Sequence, residues 1–510
     1  MSQKEKKKFK KKIIYIIIYT MNVDYLVDYE INDQPSIMEV RTELVPPIQS
    51  STYRHTFRLP TTGFLDKNTL LLFKGVAKDG TVSTASPRFN CFNGCLGAVK
   101  RVQFQVGDFS IQDLSAVNIW ATLNKLYIES PSKQNDFFGH YLHNSLRTKV
   151  LDDTDRANFG KSAVSGSLVV DNANSGINFG TADGTGAVVN SAVLSNSADS
   201  NLLCAVPLGL IMPSLSGVML PLFLFNEYRV HLIVEFESDS SKYANKISTG
   251  LAGNFACANG DILFQKVELL IDQLIYPSQV QDSYLAQTEQ DGGYALDFMN
   301  VVNVKKTIPQ ASANATQSEE MSINVANQEV HYVEMVKQFQ SLGANGDNKV
   351  LLGQHSQSIS IEGIQWNVNG VDVFPQPQHS PLSHYNQMNY ILYRDVQVPK
   401  ALYVADVNTQ YGLATPVEQG LGGKYKQLGL SLTNGNPGVR FGGKMIGNYP
   451  IRCKYTRKPH AEIKATVDTI VDTITGLTEV GSLNVDFFVG MTRIVNVSKT
   501  PRGMSVVVVN

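Results

Sequence analysis

Cysteine is scarce in this chain. Five stand among 510 residues, Cys91, Cys95, Cys204, Cys257 and Cys453, an odd and mostly scattered set. No disulfide framework follows from them, and a reduced intracellular setting is expected over a secreted one. Charge is thin as well, at 17% of residues against about 25% in an average protein. Asn, Gln, Ser and Thr supply the missing polarity, and they cost far less than ions to bury. Much of such a surface is open to being covered by partners. Neither sign dominates: the formal net charge is −1, which argues against a dedicated nucleic-acid binder. Long apolar runs are missing too. Ile13 to Tyr19 is the longest near the start, too short to span a bilayer, and with no small-residue cleavage site after it no signal peptide is read.

The near-zero charge hides an asymmetry. Residues 4–12, KEKKKFKKK, carry seven lysines and one glutamate, net +6, which leaves −7 for the rest. Residues 1–20 are Lys, Ile, Tyr and Phe almost throughout, and mixed composition begins at Met21. Two readings stand: translation starting at Met21, or a basic, partly apolar arm that touches a membrane or a genome.

Apolar residues at 43% exclude disorder as a description of the whole chain. The length suits two large β domains as well as three average ones. Period-two alternation dominates, most clearly in YRVHLIVEFE at 228–237, where Tyr228, Val230, Leu232, Val234 and Phe236 share a face. The same pattern predicts strands near 50–59, 69–76, 262–275, 298–307, 321–337, 358–368, 451–457, 483–497 and 504–509. Helices are few. Asp113 is expected to cap one whose stripe is Ala116, Ile119, Trp120, Leu123, Leu126 and Tyr127; Ser380-Pro381 opens another to about Tyr393; a third face runs from Ile463 to Leu477. Two long stretches, 159–201 and 409–448, are poor in aromatics or rich in glycine and are expected as exposed loops at one end of the molecule.

An internal repeat organises these elements. VQFQVGDFSI at 102–111 and IQWNVNGVDV at 364–373 align without gaps, from Val102 on Ile364 to Ile111 on Val373. The turns Gly107-Asp108 and Asn369-Gly370 coincide, both suited to tight hairpins. A helix is expected after each. Duplication of a β domain accounts for the match.

Chemistry is hard to find. No HExxH, Walker A, GxSxG or strand-following GxGxxG motif occurs. Gly420, Gly422, Gly423 and Lys424 lack the spacing of a phosphate loop. Cys91 and Cys95 lack two further zinc ligands. The pairs His140/His143 and His379/His384 lack a third ligand, and no carboxylate pair stands out for glycoside hydrolysis. Asn314 and Asn496 fit the glycosylation pattern, which matters only on a secretory route. No residue is nominated as catalytic, cofactor-binding or metal-binding, and no cofactor is expected.

Several segments carry a resemblance. Val206-Pro207-Leu208, then Leu220-Pro221-Leu222 and the strand from Tyr228, look like the approach to the late strands of a first jelly roll. Leu269 to Gln287 is similar to a connection between two rolls, Ile364 to Pro375 with the helix after it to a strand, turn and helix of a second, and Ser482 to Asn510 to its closing strands. Residues 21–510 thereby resemble the double jelly-roll major capsid proteins of the tectivirus and adenovirus lineage, closest to those of virophages, polinton-like viruses and nucleocytoplasmic large DNA viruses. The resemblance implies an all-β chain of two tandem eight-stranded antiparallel jelly-roll sandwiches with a few short helices and long exposed loops. A basic extension at 1–20 precedes rolls at 21–285 and 286–510. It further implies a non-enzymatic, structural role: pseudo-hexameric homotrimers in an icosahedral shell around double-stranded DNA, found in the virion. Minor capsid and penton proteins are the implied partners, with internal membrane contact through the N-terminus and no sequence-specific nucleic acid. The alternative from another class is a two-sandwich glycan-binding or glycan-cleaving protein, which the scarcity of Trp in the long loops disfavours. A receptor-binding fibre or minor coat protein is a further rival.

Overall fold

The computed structural model describes residues 39–77, 87–89, 94–121, 181–182, 188–189, 204–215, 219–246, 262–290, 293–325, 327–339, 361–379, 387, 437–461, 481–501 and 503–509. Eight main strands build the first half: β1 (Glu39–Val45), β2 (Arg54–Arg58), β3 (Leu70–Ala77), β4 (Val99–Val106), β5 (Phe109–Ser115), β6 (Cys204–Pro207), β7 (Val230–Phe236) and β8 (Ile262–Ile275), with two-residue strands at Gln49–Ser50, Phe64–Leu65 and Leu220–Pro221 joining the same sheets. Helix α1 (Ser278–Thr288) leads to the second half. There the strands are β9 (Tyr294–Ile308), β10 (Gln317–Ile323), β11 (Glu329–Phe339), β12 (Ile361–Val368), β13 (Val371–Asp372), β14 (Gly438–Met445), β15 (Ile451–Arg457) and β16 (Leu483–Thr500), and β17 (Gly503–Val509) follows.

Pairing gives the topology. In the first half one sheet runs β6-β3-β8-β1 and the other β2-β7-β4-β5; in the second half the orders are β14-β11-β16-β9 and β10-β15-β12-β13. Adding eight to each label of the first half yields the second. Every pairing is antiparallel. Two four-stranded sheets with these crossings, packed face to face, make a jelly roll, and the chain holds two of them. The repeated hairpin sits at the same place in both, as β4-β5 and β12-β13. Val106 pairs with Phe109 across one turn and Val368 with Val371 across the other.

Alternation explains the cores. Along β7, Val230, Leu232, Val234 and Phe236 are buried while His231 and Glu235 are half-exposed. Phe236 stacks on Phe264 with ring centres 4.2 Å apart, and Phe73 meets both edge-on. In the second roll Trp366, at the position matching Phe104, is fully buried and meets Phe487 edge-on at 6.1 Å. Strands 262–275 and 451–457 match their predicted bounds, and the other predicted strands fall within a few residues of theirs.

Three expectations are corrected. The run 321–337 is not one strand: β10 ends at Ile323 and β11 starts at Glu329, in the opposite sheet. The inward face changes parity at the corner, from Met321, Ile323 and Val325 to Val330, and changes back at the bulge before Tyr332; in the corner Asn327 takes φ 59° and its N–H donates to the Ile446 carbonyl. Asp113 caps no helix. It lies in β5, pairs with Gln103 across the ladder and accepts two hydrogen bonds from Arg101 at 2.6 and 2.8 Å, while the helix begins at 117. Residues 438–445 of the expected glycine loop 409–448 form strand β14, in which Gly442 and Gly443 hold φ of +68° and +83°. Of the rest, 409–436 lies outside the described residues, as do the helices expected at 381–393 and 463–477 and nearly all of 159–201.

Strand alternation also sorts the connections. In a jelly roll the odd-numbered links, first to second, third to fourth and so on, all turn at one end. In the first roll β3, β5 and β7 end there and β4, β6 and β8 start there; in the second β11, β13 and β15 end there and β12, β14 and β16 start there, and the long links between them lie largely outside the described residues. The other end has the tight turns at 107–108 and 369–370 and the link through α1.

Candidate functional site

Among the described residues, the side chains singled out for chemistry do not gather into one site. Cys95 is buried and its thiol adjoins that of Cys204, whose ionisation is pushed up by burial and then by Cys95. Cys453 lies in the second core, its thiol also pushed up by burial. His379 is exposed and its Nδ1 donates to the Glu362 carbonyl at 2.6 Å. Asn314 is exposed in a turn. Asn496, by contrast, sits in β16 between Ala295 of β9 and Val507 of β17. Cys91, Cys257, His140, His143, His384 and the 420–424 glycines lie outside the described residues. Among the described residues no three His, Cys, Asp or Glu side chains are placed to share a metal, and no helix is long and apolar enough to cross a membrane.

What the fold does present is a pair of equivalent sheet faces in unequal settings. The outer face of the β14-β11-β16-β9 sheet carries Val301, Tyr332, Val336 and Phe488, and all four belong to the core cluster of the first roll. Trp120, at the start of the 117–121 helix of the first roll, lies against Tyr332. Burial pushes the Tyr332 hydroxyl up, with a smaller push from Glu334. Gly490 leaves room for this packing, since a Cβ there would stand 2.2 Å from the Tyr332 ring. The two rolls thus share a dry seam.

The matching face of the first roll, on the β6-β3-β8-β1 sheet, has no such cover within the described chain. Its inward residues Leu71, Phe73, Leu269 and Ile271 are buried, whereas Leu70, Leu72 and Leu270 on the outer face are half-exposed. Val40 and Leu44 of β1 stand 59% and 50% exposed on the sheet that pairs them against β8. A soluble protein rarely leaves a row of this kind open without a partner for it.

The seam opens at the long-loop end into a cleft of about 400 Å³, lined by Lys100, Lys242, Lys305 and Lys306 over Glu237 and Asp486. Glu237 takes Lys242 at 3.2 Å and Lys100 at 3.8 Å; Asp486 takes Asn303 at 2.9 Å and Lys305 at 4.0 Å. The lysines are largely spent on these carboxylates. A second, open groove of about 770 Å³ lies on the outer face of the β10-β15-β12-β13 sheet, between Arg452, Lys454, Gln365, Pro375 and Tyr449. In the first roll the positions matching Gly363 and Pro375 hold the paired Arg101 and Asp113; here Pro375 lines the groove, and Gly363 packs against Pro377 and His379. Sequence reading missed both surfaces. The signal for the seam was β11 itself, EVHYVEMVKQF, which is apolar on both alternating faces and so must be covered on both.

No protein-family model and no curated protein matches the sequence. Solved structures do. The quasi-atomic model of the PBCV-1 virus capsid matches with a TM-score of 0.52 at 11% identity, over 92% of this chain and 97% of that one. PBCV-1 VP54, as fitted into a reconstruction of the virophage Sputnik, gives 0.51 at 11% identity over 92% and 97%. The cryo-EM structure of the Sputnik virophage itself gives 0.51 at 11% identity over 93% of this chain and 89% of that one. At such identity the likeness speaks for architecture. The chain has, along nearly its whole length, the double jelly-roll fold found in these viral capsids.

Proposed function

We propose that this chain is a major capsid protein, a non-enzymatic shell component that assembles as a pseudo-hexameric homotrimer. The observation that carries the reading is the unequal cover of two equivalent faces. Within one chain, roll one covers the outer sheet face of roll two. If roll two of the next chain covers the open face of roll one in the same way, each contact repeats the last. A head-to-tail contact of this kind closes into a ring when the rotation allows. Three chains then give six similar lobes, with subunit interfaces expected beyond about 2,000 Å². The capsid structures that share the fold support a place in a shell, and the low charge content supports burial on such a scale.

The reading extends to the rest of the particle. Rolls divided near 285 stand side by side, with the long links 116–203 and 373–437 at the outer end and the tight turns facing inward. The shell is icosahedral and encloses double-stranded DNA in the virion; minor capsid and penton proteins complete it. The lysine-rich residues 1–20, where translated, contact an internal membrane. Size-exclusion chromatography with light scattering on the full chain is the direct test. A stable species of three chains, each 56.1 kDa, is expected, and a monomer that binds sugar overturns the proposal.

A further inference from the structure

Glu334 is the most exceptional charge-bearing residue of the described chain. It sits in β11, on the face that carries Tyr332 and Val336 into the seam, and is fully buried. Neither carboxyl oxygen has a hydrogen-bond partner. Its ladder neighbours are Phe488 and Gly438, which offer no side-chain donor. A carboxylate in such a place is expelled or neutralised, because an unpaired buried charge costs far more than the seam gains by holding it.

The groups that face it are few. Tyr332 flanks it on its own strand. β16 contributes Asp486, one ladder step away and already engaged by Asn303 and Lys305. β14 contributes Arg440, opposite Tyr332 and exposed to water. From the first roll comes Trp120, against Tyr332 and uncharged. The buried Lys337 of the same strand lies over the Tyr455 ring, and among the described residues no cation is paired with Glu334.

We propose that Glu334 is a proton-dependent latch: protonated, it lets the two rolls dock, and ionised, it loosens the seam between them. Burial holds its carboxyl up at about 8, against an ordinary 4.5. For a folded value raised in this way, the stability contribution is complete below the unfolded value and is lost as pH rises through the folded one. The contribution is therefore lost between about pH 4.5 and 8, and the seam carboxyl is ionised in the folded chain only at mildly alkaline pH. Loss of the proton is the only chemical step, and the solvent takes it. The latch acts within a single chain, so it stands or falls separately from trimer formation.

The chain provides its own probe, since its two tryptophans are Trp120 in the seam and Trp366 in the second core. In Trp366→Phe, emission reports Trp120 alone. We expect its emission to shift with a midpoint near pH 8, below the range of about 10 where exposed tyrosines ionise. The thermal midpoint should fall by at least about 2 °C across the same window. Adding Glu334→Gln should abolish both changes, with Glu334→Leu as the alternative if the amide variant folds poorly. Infrared spectroscopy of the unaltered chain needs no variant: a protonated-carboxyl band at neutral pH that vanishes on alkalinisation is expected. A flat Trp120 titration, the same transition in the Glu334 variants, or no such band at neutral pH would each overturn the proposal.

Discussion

The two jelly rolls are built on one plan and diverge in what covers them. Roll two has its outer sheet face sealed by roll one, and the residues there have adapted to a dry setting: Tyr332, Val336, Phe488 and a glycine at 490. Roll one keeps Leu70, Leu72 and Leu270 half-exposed on the same face. Inside, the difference is one of size. Phe104 occupies the place in roll one that Trp366 takes in roll two, and a phenylalanine-rich core that includes Phe57, Phe73, Phe104, Phe236 and Phe264 contrasts with one built on Trp366, Tyr455 and Phe487. A repeated fold tolerates such exchange provided that volume and pattern are kept. The constraint that the rolls share is topological, while packing and cover are free to drift apart.

Emptying one core tests that independence most severely. Trp366→Ala removes the largest buried side chain of roll two and is expected to cost about 3–5 kcal/mol. Urea unfolding followed by hydrogen exchange should place the loss in β12, β15 and β16. If β3, β7 and β8 lose protection equally, the two rolls unfold as one unit and the comparison above concerns sequence only.

Charging the open face comes next. Leu70→Glu with Leu72→Glu leaves the inward Leu71 and Phe73 untouched, so the isolated chain should keep its fold by circular dichroism. Each leucine withdrawn from a buried interface forfeits about 1.5–3 kcal/mol, enough to shift a trimer strongly towards monomer on a sizing column. A trimer that survives both changes would show that the open face is not the intersubunit contact.

Much of this architecture could be read in the residues. The alternation of 228–237 and the exact runs 262–275 and 451–457 follow from one buried face per strand, a local property. The hairpin match between 102–111 and 364–373 located the repeat, because turn chemistry at Gly107 and Asn369-Gly370 is local too. What escaped was non-local. The run from Met321 to Lys337 reads as one strand by its apolar content, yet its inward parity shifts at the corner and again at His331, and only the second sheet makes sense of both shifts. Asp113 has the look of a helix cap until Arg101 is found beside it across the ladder. Glycine content concealed β14, whose Gly443 needs to be glycine because a Cβ there would stand 2.8 Å from the Glu329 carboxylate. The seam, and Glu334 within it, needed a second roll to be seen at all.

The matched hairpins offer a finer contrast. Gly370 has φ +82° and open space around it, so Gly370→Ala meets only the left-handed backbone, about 1 kcal/mol. Gly107 has φ +58°, and a Cβ there would stand 2.9 Å from the Tyr228 ring. Tyr228 donates a 2.6 Å hydrogen bond to the Met504 carbonyl of β17, so its displacement also disturbs a tie between the rolls. Gly107→Ala is expected to cost about 1–2 kcal/mol, more than its counterpart, in denaturant midpoints at unchanged slope. Equal costs would mean that the Tyr228 ring moves aside freely.

The smallest effect belongs to the ion pair that roll one has and roll two lacks. Arg101 donates from Nε and a terminal nitrogen to Asp113, and Gln103 adds a third bond at 2.8 Å. Burial works against the Asp113 charge, yet the bonds from Arg101 and Gln103 outweigh it and hold the carboxyl below its ordinary value. A depressed value adds stability that is complete above the unfolded pKa and is lost as pH falls through the folded one. Both side chains are more than a third exposed, so solvent screening keeps the contribution to about 0.5–1 kcal/mol. Arg101→Gly with Asp113→Pro would copy the roll-two residues at both positions, but Pro removes a ladder donor in β5 and confuses the result. Arg101→Ala alone is cleaner. It should lower stability slightly at neutral pH, with the difference from the parent chain shrinking as pH falls below the ordinary aspartate value of 3.8 and vanishing below the depressed folded value, where Asp113 is protonated in both. A difference that stays constant down to acid pH would assign the effect to the lost packing of the arginine stem, and the salt bridge would then be no more use to roll one than its absence is to roll two.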